Sequence, residues 1–331
     1  MPTFAFALGL PTLSGSGRCI DCFFPSPLKQ PAGALEAAIG EWFTPGEAML
    51  EPEAARAFIE ARQPQAAPLL EADRPLIAVL LPEDAPIAST AEAFLKLHLL
   101  SHRLALPNTL NLDGIFAHLQ TVAWTTEGAV ALEELAERQL RARVRGLHFE
   151  VLSVDKFPKM ANYVVPSGVR IADSSRIRLG AYLGEGTTVM PPGSINFNAG
   201  ALGPNMVEGR ISQGVVLGQE SDLGGAASTM GTLAGGGEIV ISIGRQCLIG
   251  ANGGTGIPLG DRCTIEAGLY ITAGTRVALI DADGQRQGPV KARELAGRSD
   301  LLFIRHSETG EVQCRVNRKA IALNEQLHAH N

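Results

Sequence analysis

At 331 residues, 45% hydrophobic and 19% charged, the chain can form one large domain or two ordinary ones and is too apolar to be disordered. A net charge of −6 without a long basic run argues against nucleic acid as a partner, and no apolar stretch reaches the length needed to span a bilayer. The 37 glycines beside only 5% aromatics point to a repeat architecture.

The start, MPTFAFALGLPTLSGSG, lacks the basic flank of a secretion signal. Five cysteines, an odd count, fit a reducing cytoplasm. Cys19 and Cys22 form a CxxC with no second pair or nearby histidine to complete a zinc site. Residues 1–110 read as a separate domain mixing α and β elements. Its signals are a helix at EPEAARAFIEARQ (51–63), a buried strand at LIAVLLPED (76–84) ending at Pro82, and a helix at STAEAFLKLHLLSHRL (89–104) with Ser89 or Thr90 as N-cap. Residues 111–168 read as a bridging helical region with a helix at ALEELAERQLRARVRG (131–146). The basic end of that helix reads as a solvated face, with phosphate binding as the alternative.

From 169 to 277 a branched aliphatic returns every six residues. Ile171, Ile177, Leu183, Val189, Ile195, Ala201 and Val207 share one frame. After a slip it resumes at Leu217, Leu223 and Thr229, then after LAGGGEIVIS at Ile243 and Ile249, and after another slip at Leu259, Ile265, Ile271 and Val277. Small or acidic residues follow: Gly218, Gly224, Gly244, Gly250, Gly260, Glu266. A period of six fits neither an amphipathic helix nor a two-sided strand; it fits a hexapeptide β-helix. The aliphatics then stack inward, each contributing about 1.5–3 kcal/mol. Extra residues at ISQGVV, LAGGGEIVIS and GTGIP are expected to bulge from corners, where binding residues gather. Residues 278–331 read as a strand-rich capping segment with turns at DADG and SETG and a short terminal helix at 320–330.

No P-loop, Rossmann fingerprint or Ser–His–Asp set is present. All seven histidines lie outside 149–305, which argues against a His-ligated zinc enzyme and against a His base on the repeat. Carboxylates become the candidate bases. Glu208, in MVEGRIS before a frame slip and two residues from Arg210, stands out as general base or nucleophile, with Glu266 of TIEAG second.

The segment NFNAGALGPNMVEGRISQGVVLGQESDLGGAASTMGTLAGGGEIVISIGRQCLIGANGGTGIPLGDRCTIEAGLYITAGT (196–275) closely resembles the tetrahydrodipicolinate (2,3,4,5-tetrahydropyridine-2,6-dicarboxylate) N-succinyltransferase family, in its long form from pseudomonads and actinobacteria. The likeness runs from VDKFPKMANYVVPSGVRIAD through KAIALNEQLHAH, and the first hundred residues carry less of it. It implies a homotrimer of left-handed parallel β-helices with active sites in grooves between subunits. It implies transfer of succinyl from succinyl-CoA, as co-substrate, to ring-opened tetrahydrodipicolinate, giving N-succinyl-2-amino-6-oxopimelate in lysine and diaminopimelate synthesis. No tightly bound cofactor is implied. Glu208 falls on the family's catalytic glutamate, acting as base or through an acyl-anhydride, and Arg210 would hold a carboxylate. Gly225, Ser228, Ala251, Glu266, Ala267, Gly274, Lys291 and the IRHS segment (Ile304, Arg305, His306, Ser307) fall on succinyl-CoA contacts. Some relatives bind a divalent ion through an acidic pair near the trimer axis; Ser175 and Pro192 stand there in this chain, so no metal site is expected. Backbone N–H groups at corners such as Gly224 and Gly225 are suited to an oxyanion. The alternatives are another hexapeptide-fold acyl-CoA transferase and a non-catalytic β-helix scaffold.

Overall fold

A computed structural model describes residues 2–231, 239–281 and 283–316. The chain divides into two compact units, Met1–Ala105 with Thr109–Val164, and Leu106–Asn108 with Val165–Asn331.

The first unit is built on an antiparallel sheet. Strand β1 (Ala5–Leu13) pairs with β2 (Cys19–Phe23), with the short β3 (Leu28–Lys29) and with β5 (Leu76–Leu81); β4 (Gly46–Leu50) lies beyond β5. Helices α1 (Ala34–Trp42) and α2 (Pro52–Arg62) lie between these strands in the chain. Helix α2 buries Ala55, Phe58 and Ile59, the i, i+3, i+4 stripe of an amphipathic helix. Phe58 meets Phe6 edge-on at 5.6 Å and Phe43 at 5.0 Å, in a core completed by Leu8, Ile39 and Leu76. Every residue of β5 is buried, as its continuous apolar run predicts.

Helix α3 (Thr90–Ser101) has Ser89 as its N-cap, the hydroxyl accepting from Glu92 N–H at 3.1 Å. Nearly all of α3 is buried, including Lys96 at 1% exposure. Its ammonium donates to Asp84 Oδ1, Ala85 O and Asn111 O, each at 2.6 Å, so all three protons are used. After α4 (Ile115–His118) come β6 (Val122–Thr125) and β7 (Gly128–Ala131), then α5 (Leu132–Val144) and β8 (Val151–Asp155), with β6 central in a three-stranded antiparallel sheet. Residues 111–164 thus pack with the first unit instead of bridging: besides the Lys96 bond to Asn111, Thr90 Oγ1 donates to His118 O at 2.8 Å. The arginines toward the basic end of α5 are engaged at i, i+4, Arg138 with Glu134 and Arg141 with Glu137, as on a solvated face.

The second unit is a left-handed parallel β-helix whose sides form three parallel sheets. One column carries Ile171, Val189, Val207, Leu223, Ile249, Ile265 and Phe303 in register. A second carries Ile195, Ile211, Thr229, Thr255 and Ile271. The third carries Leu183, Ala201, Leu217 and Ile243. The frame expected from sequence is therefore present, with one correction. ISQGVV and GTGIP are not insertions: Ile211 stacks on Ile195 and Thr255 on Thr229 as regular members of the second column. The steps from Val207 to Ile211 and from Thr255 to Leu259 are shortened sides, two residues below six. Thr255 can stand inward because its hydroxyl is satisfied, donating to Ile257 O at 2.7 Å. Most of LAGGGEIVIS and the whole of 320–330 lie outside the described residues.

Glycines hold the coils at their spacing. A Cβ on Gly244 would lie 2.4 Å from the carbonyl carbon of Gly260 in the next coil. Beyond the coil, Arg276–Ile280 pairs antiparallel with Arg286–Lys291, and Leu301–Arg305 adds to the first column so that Phe303 covers Ile265. That strand pairs the otherwise open edge of the first column. Of the two expected turns, SETG is closed by Gly310 N–H donating to His306 O, and DADG contains residue 282, which lies outside the described residues.

Candidate active site

The residue after each inward aliphatic of the first column lies on one edge of the coil. Down that edge come Glu208, Gly224, Gly250, Glu266 and Ile304, linked by the ladder from Glu208 N–H to Leu223 O (2.9 Å), Gly224 N–H to Ile249 O (2.8 Å), Gly250 N–H to Ile265 O (2.8 Å) and Glu266 N–H to Phe303 O (3.0 Å). One position further on, Gly225, Ala251 and Ala267 form a parallel row of small residues. Asn252 N–H donates to Gly225 O and Gly268 N–H to Ala251 O, which ties the rows coil to coil. The predicted Gly225, Ala251, Glu266 and Ala267 are thus neighbours on one edge, although the sequence scatters them over three repeats.

The backbone chemistry of this edge is specific. Gly224 N–H is spent in the ladder, so it is not the oxyanion donor the sequence suggested. The N–H groups of Gly225, Ala251 and Ala267 have no acceptor among the described residues. Gly225 also faces open space, with nothing within 4 Å of where a Cβ would be. Three unpaired donors in a row, unobstructed by side chains, suit an extended ligand that offers carbonyl oxygens.

Glu208 is half-buried, and its carboxylate has no hydrogen-bond or ion-pair partner among the described residues. Glu266 is exposed and occupied: Oε2 accepts Arg305 N–H at 2.7 Å. The two carboxylates are three coils apart, roughly 14 Å at the usual spacing of neighbouring strands, so they cannot share one reacting carbon. Through Arg305 the edge is joined to the IRHS segment. Arg305 Nη1 donates to Gly310 O at 3.2 Å, and His306 Nδ1 accepts Thr309 N–H at 3.3 Å, which shapes the turn carrying Ser307.

The face leading away from this edge carries the outward residues of the second column, Ser194, Arg210, Ser228, Gly254 and Tyr270. Arg210 is exposed and donates through Nη2 to Ser228 Oγ at 2.6 Å. Tyr270 went unnoticed in the sequence. Its ring lies over Gly254, whose added Cβ would be 2.3 Å from Tyr270 Cε2. Reading the frame one position before each inward residue would have placed Tyr270 beside Ser228 and Arg210. At the far end of this face lies Gly274, in an exposed turn closed by Thr275 N–H to Thr272 O. Lys291 adjoins it: Lys291 pairs with Arg276, Ala292 N–H donates to Thr275 O, and Arg293 N–H donates to Ala273 O. The predicted residues therefore occupy one face of the coil and its two bounding edges.

Ser175 Oγ donates to Asp173 at 2.6 Å, and Pro192 O accepts from Arg176 at 3.3 Å; among the described residues no three His, Cys, Asp or Glu side chains gather as metal ligands. No helix among them is long and apolar enough to cross a membrane.

Comparison with known proteins agrees with this architecture. Residues 119–159 match a family profile described as tetrahydrodipicolinate N-succinyltransferase middle, and residues 240–273 match the hexapeptide repeat of succinyl-transferase. A 2,3,4,5-tetrahydropyridine-2,6-dicarboxylate N-succinyltransferase of Pseudomonas aeruginosa is 55% identical over 99% of this chain and 98% of its own. One of Vibrio cholerae is 52% identical over the full length of both. A crystal structure from Campylobacter jejuni, described as a 2,3,4,5-tetrahydropyridine-2-carboxylate N-succinyltransferase, superposes with a TM-score of 0.86 at 32% identity, covering 96% of this chain and 93% of its own.

Proposed function

The chain belongs to the tetrahydrodipicolinate N-succinyltransferase family, and from that premise we propose that it moves succinyl from succinyl-CoA to the amine of ring-opened tetrahydrodipicolinate. The products are N-succinyl-2-amino-6-oxopimelate and CoA, on the route to lysine and diaminopimelate. The observation that carries the reading is the free Glu208 carboxylate on the same edge as the unpaired Gly225, Ala251 and Ala267 N–H groups.

In this reading Glu208 takes a proton from the attacking amine. Nitrogen forms a bond to the thioester carbon, the C–S bond breaks, and the departing sulfur is protonated. An N–H of the edge, Gly225 the nearest in register to Glu208, steadies the oxyanion. Arg210 holds a substrate carboxylate, which needs a cation with free donors. Lys291 meets CoA phosphates, and Ser228, Glu266, Gly274 and Ile304–Ser307 border the acyl-CoA. Holding both reactants in attack geometry supplies on the order of 7–11 kcal/mol in favourable cases. The protein works as a cytoplasmic homotrimer, with neither a tightly bound cofactor nor a metal.

The test follows release of free CoA thiol from succinyl-CoA or acetyl-CoA, with and without tetrahydrodipicolinate. Release from succinyl-CoA that requires the amine substrate supports the proposal. Release only with acetyl-CoA, or with another acceptor, overturns the substrate and leaves the fold intact. In an anhydride route the same Glu208 oxygen attacks the thioester, and a succinyl group trapped on Glu208 by rapid quench would identify it.

A further inference from the structure

The CxxC of the first unit has a geometry its sequence does not announce. On a regular strand, residues three apart point to opposite faces. In β2 the register slips: Thr12 opposes Asp21 but Leu13 opposes Cys19, leaving Ile20 as an extra residue. The bulge turns Cys19 back to the side of Cys22, and the sulfurs lie 3.4 Å apart. A disulfide needs about 2.05 Å, so closure asks for a sulfur movement of roughly 1.4 Å.

The two thiols are unequally placed. Cys22 is fully buried, while Cys19 is half-buried at the end of the exposed segment Gly15–Arg18. The contact between them lowers the Cys19 thiol below its ordinary value; that contact and burial push Cys22 up. Cys19 is therefore the accessible and more acidic sulfur, and Cys22 the shielded one. The other adjacent cysteines differ. Cys247 and Cys263 stack in neighbouring coils, both fully buried, where no external disulfide reaches either.

We infer that Cys19 and Cys22 form a redox-active dithiol that exchanges with small disulfides of the glutathione class. Cys19 thiolate attacks one sulfur of the external disulfide and expels a thiolate, forming a mixed disulfide. Cys22 then gives its proton to the medium and attacks Cys19 Sγ, releasing the second thiolate. Two protein thiols are oxidised to one disulfide, and one external disulfide is reduced to two thiols. The loop closed is very short, so the chain-entropy gain is small, as suits a reversible bond better than a structural one.

The experiment incubates the full-length chain with oxidised glutathione, quenches with acid, alkylates under denaturing conditions and maps peptides by mass. The expected result is loss of two of the five free thiols. The peptide spanning Cys19 and Cys22 becomes lighter by two hydrogens, and dithiothreitol restores it. Cys19→Ser, at the half-buried position, slows the thiol loss at least tenfold, and Cys22→Ser leaves glutathione on Cys19. The inference is overturned if all five thiols survive, if wild-type protein keeps glutathione on Cys19, or if Cys19→Ser loses thiols as fast as wild type. Thiol count needs no turnover, so this result is independent of succinyl transfer.

Discussion

Two glutamates on one edge are employed differently, and their variants should separate accordingly. Glu208 has no partner to lose, so Glu208→Gln should leave thermal stability within about 0.5 kcal/mol of wild type. It should lower kcat by on the order of 10²–10⁴, the usual contribution of a positioned base. Glu266 holds Arg305 N–H, so Glu266→Ala should loosen the 304–307 segment and raise KM for succinyl-CoA more than it lowers kcat. Steady-state kinetics on both variants, beside melting curves, checks this pair. Equal kcat losses in the two would remove the distinction. In the first unit, His98 makes a prediction about pH. It is fully buried, with Nδ1 2.7 Å from Phe94 O and Nε2 accepting Phe24 N–H at 3.3 Å, an arrangement that only the neutral ring satisfies. Burial, opposed in part by the Phe94 carbonyl, lowers its pKa to about 3. The unfolded chain, near the ordinary 6.5, then binds a proton that the folded chain refuses. Stability from this group is complete above about pH 6.5 and falls as pH drops toward 3, by about 1.4 kcal/mol per unit, or on the order of 2 kcal/mol at pH 5. Denaturation at pH 7 and pH 5 should show this loss in wild type and a smaller one in His98→Gln.

Within the elements, stacking decides which small changes matter. Ile249 sits between Leu223 and Ile265 in the first column and is fully buried, so Ile249→Ala should cost about 2–5 kcal/mol in denaturant unfolding. Two glycines should differ sharply. A Cβ on Gly200 would lie 2.1 Å from Tyr182 O, so Gly200→Ala must push two coils apart at about 1–3 kcal/mol. Gly225 faces open space, so Gly225→Ala should melt like wild type. The same physics explains what could be read from sequence. Columns of Ile, Leu and Val announce themselves because the core admits one large residue per side. Ile211 and Thr255 were missed because a shortened side moves the next inward residue out of a six-residue count, and Thr255 is polar. The strand at 76–81, helices α2, α3 and α5 and the Ser89 cap followed from burial pattern and capping chemistry. The packing of residues 111–164 with the first unit did not, because it rests on bonds between distant segments, such as Lys96 with Asn111 and Thr90 with His118, which leave no local period. The corner residues of the site were found through family likeness. Their adjacency comes only from coil-to-coil register, and Tyr270 over Gly254 needed the fold to be seen.

At the scale of the whole molecule, the candidate site raises a problem of enclosure. Glu208 and the small-residue row lie on one edge of the coil, while Gly274 and Lys291 lie on the next, with Arg210, Ser228 and Tyr270 on the face between. A convex coil presents such edges outward. Acyl transfer to an amine must keep water from the thioester, and a convex surface cannot do that by itself. Cyclic packing of identical chains solves the problem, since it sets one edge of a subunit against a different edge of its neighbour. The proposed trimer should therefore scatter light as three chains of 34.9 kDa each. A groove built this way takes its Glu208 edge from one subunit and its Lys291 edge from the next. Glu208→Gln and Lys291→Ala, each impaired alone, should then complement when co-expressed. Random mixing in equal amounts leaves about a quarter of the grooves with both residues intact, so turnover should recover to that order. Recovery no greater than the sum of the separate variants would mean that both residues serve a groove from the same chain. In that case the second wall must carry the IRHS segment or Arg210 instead, and pairing Glu208→Gln with Arg305→Ala or with Arg210→Ala would identify which.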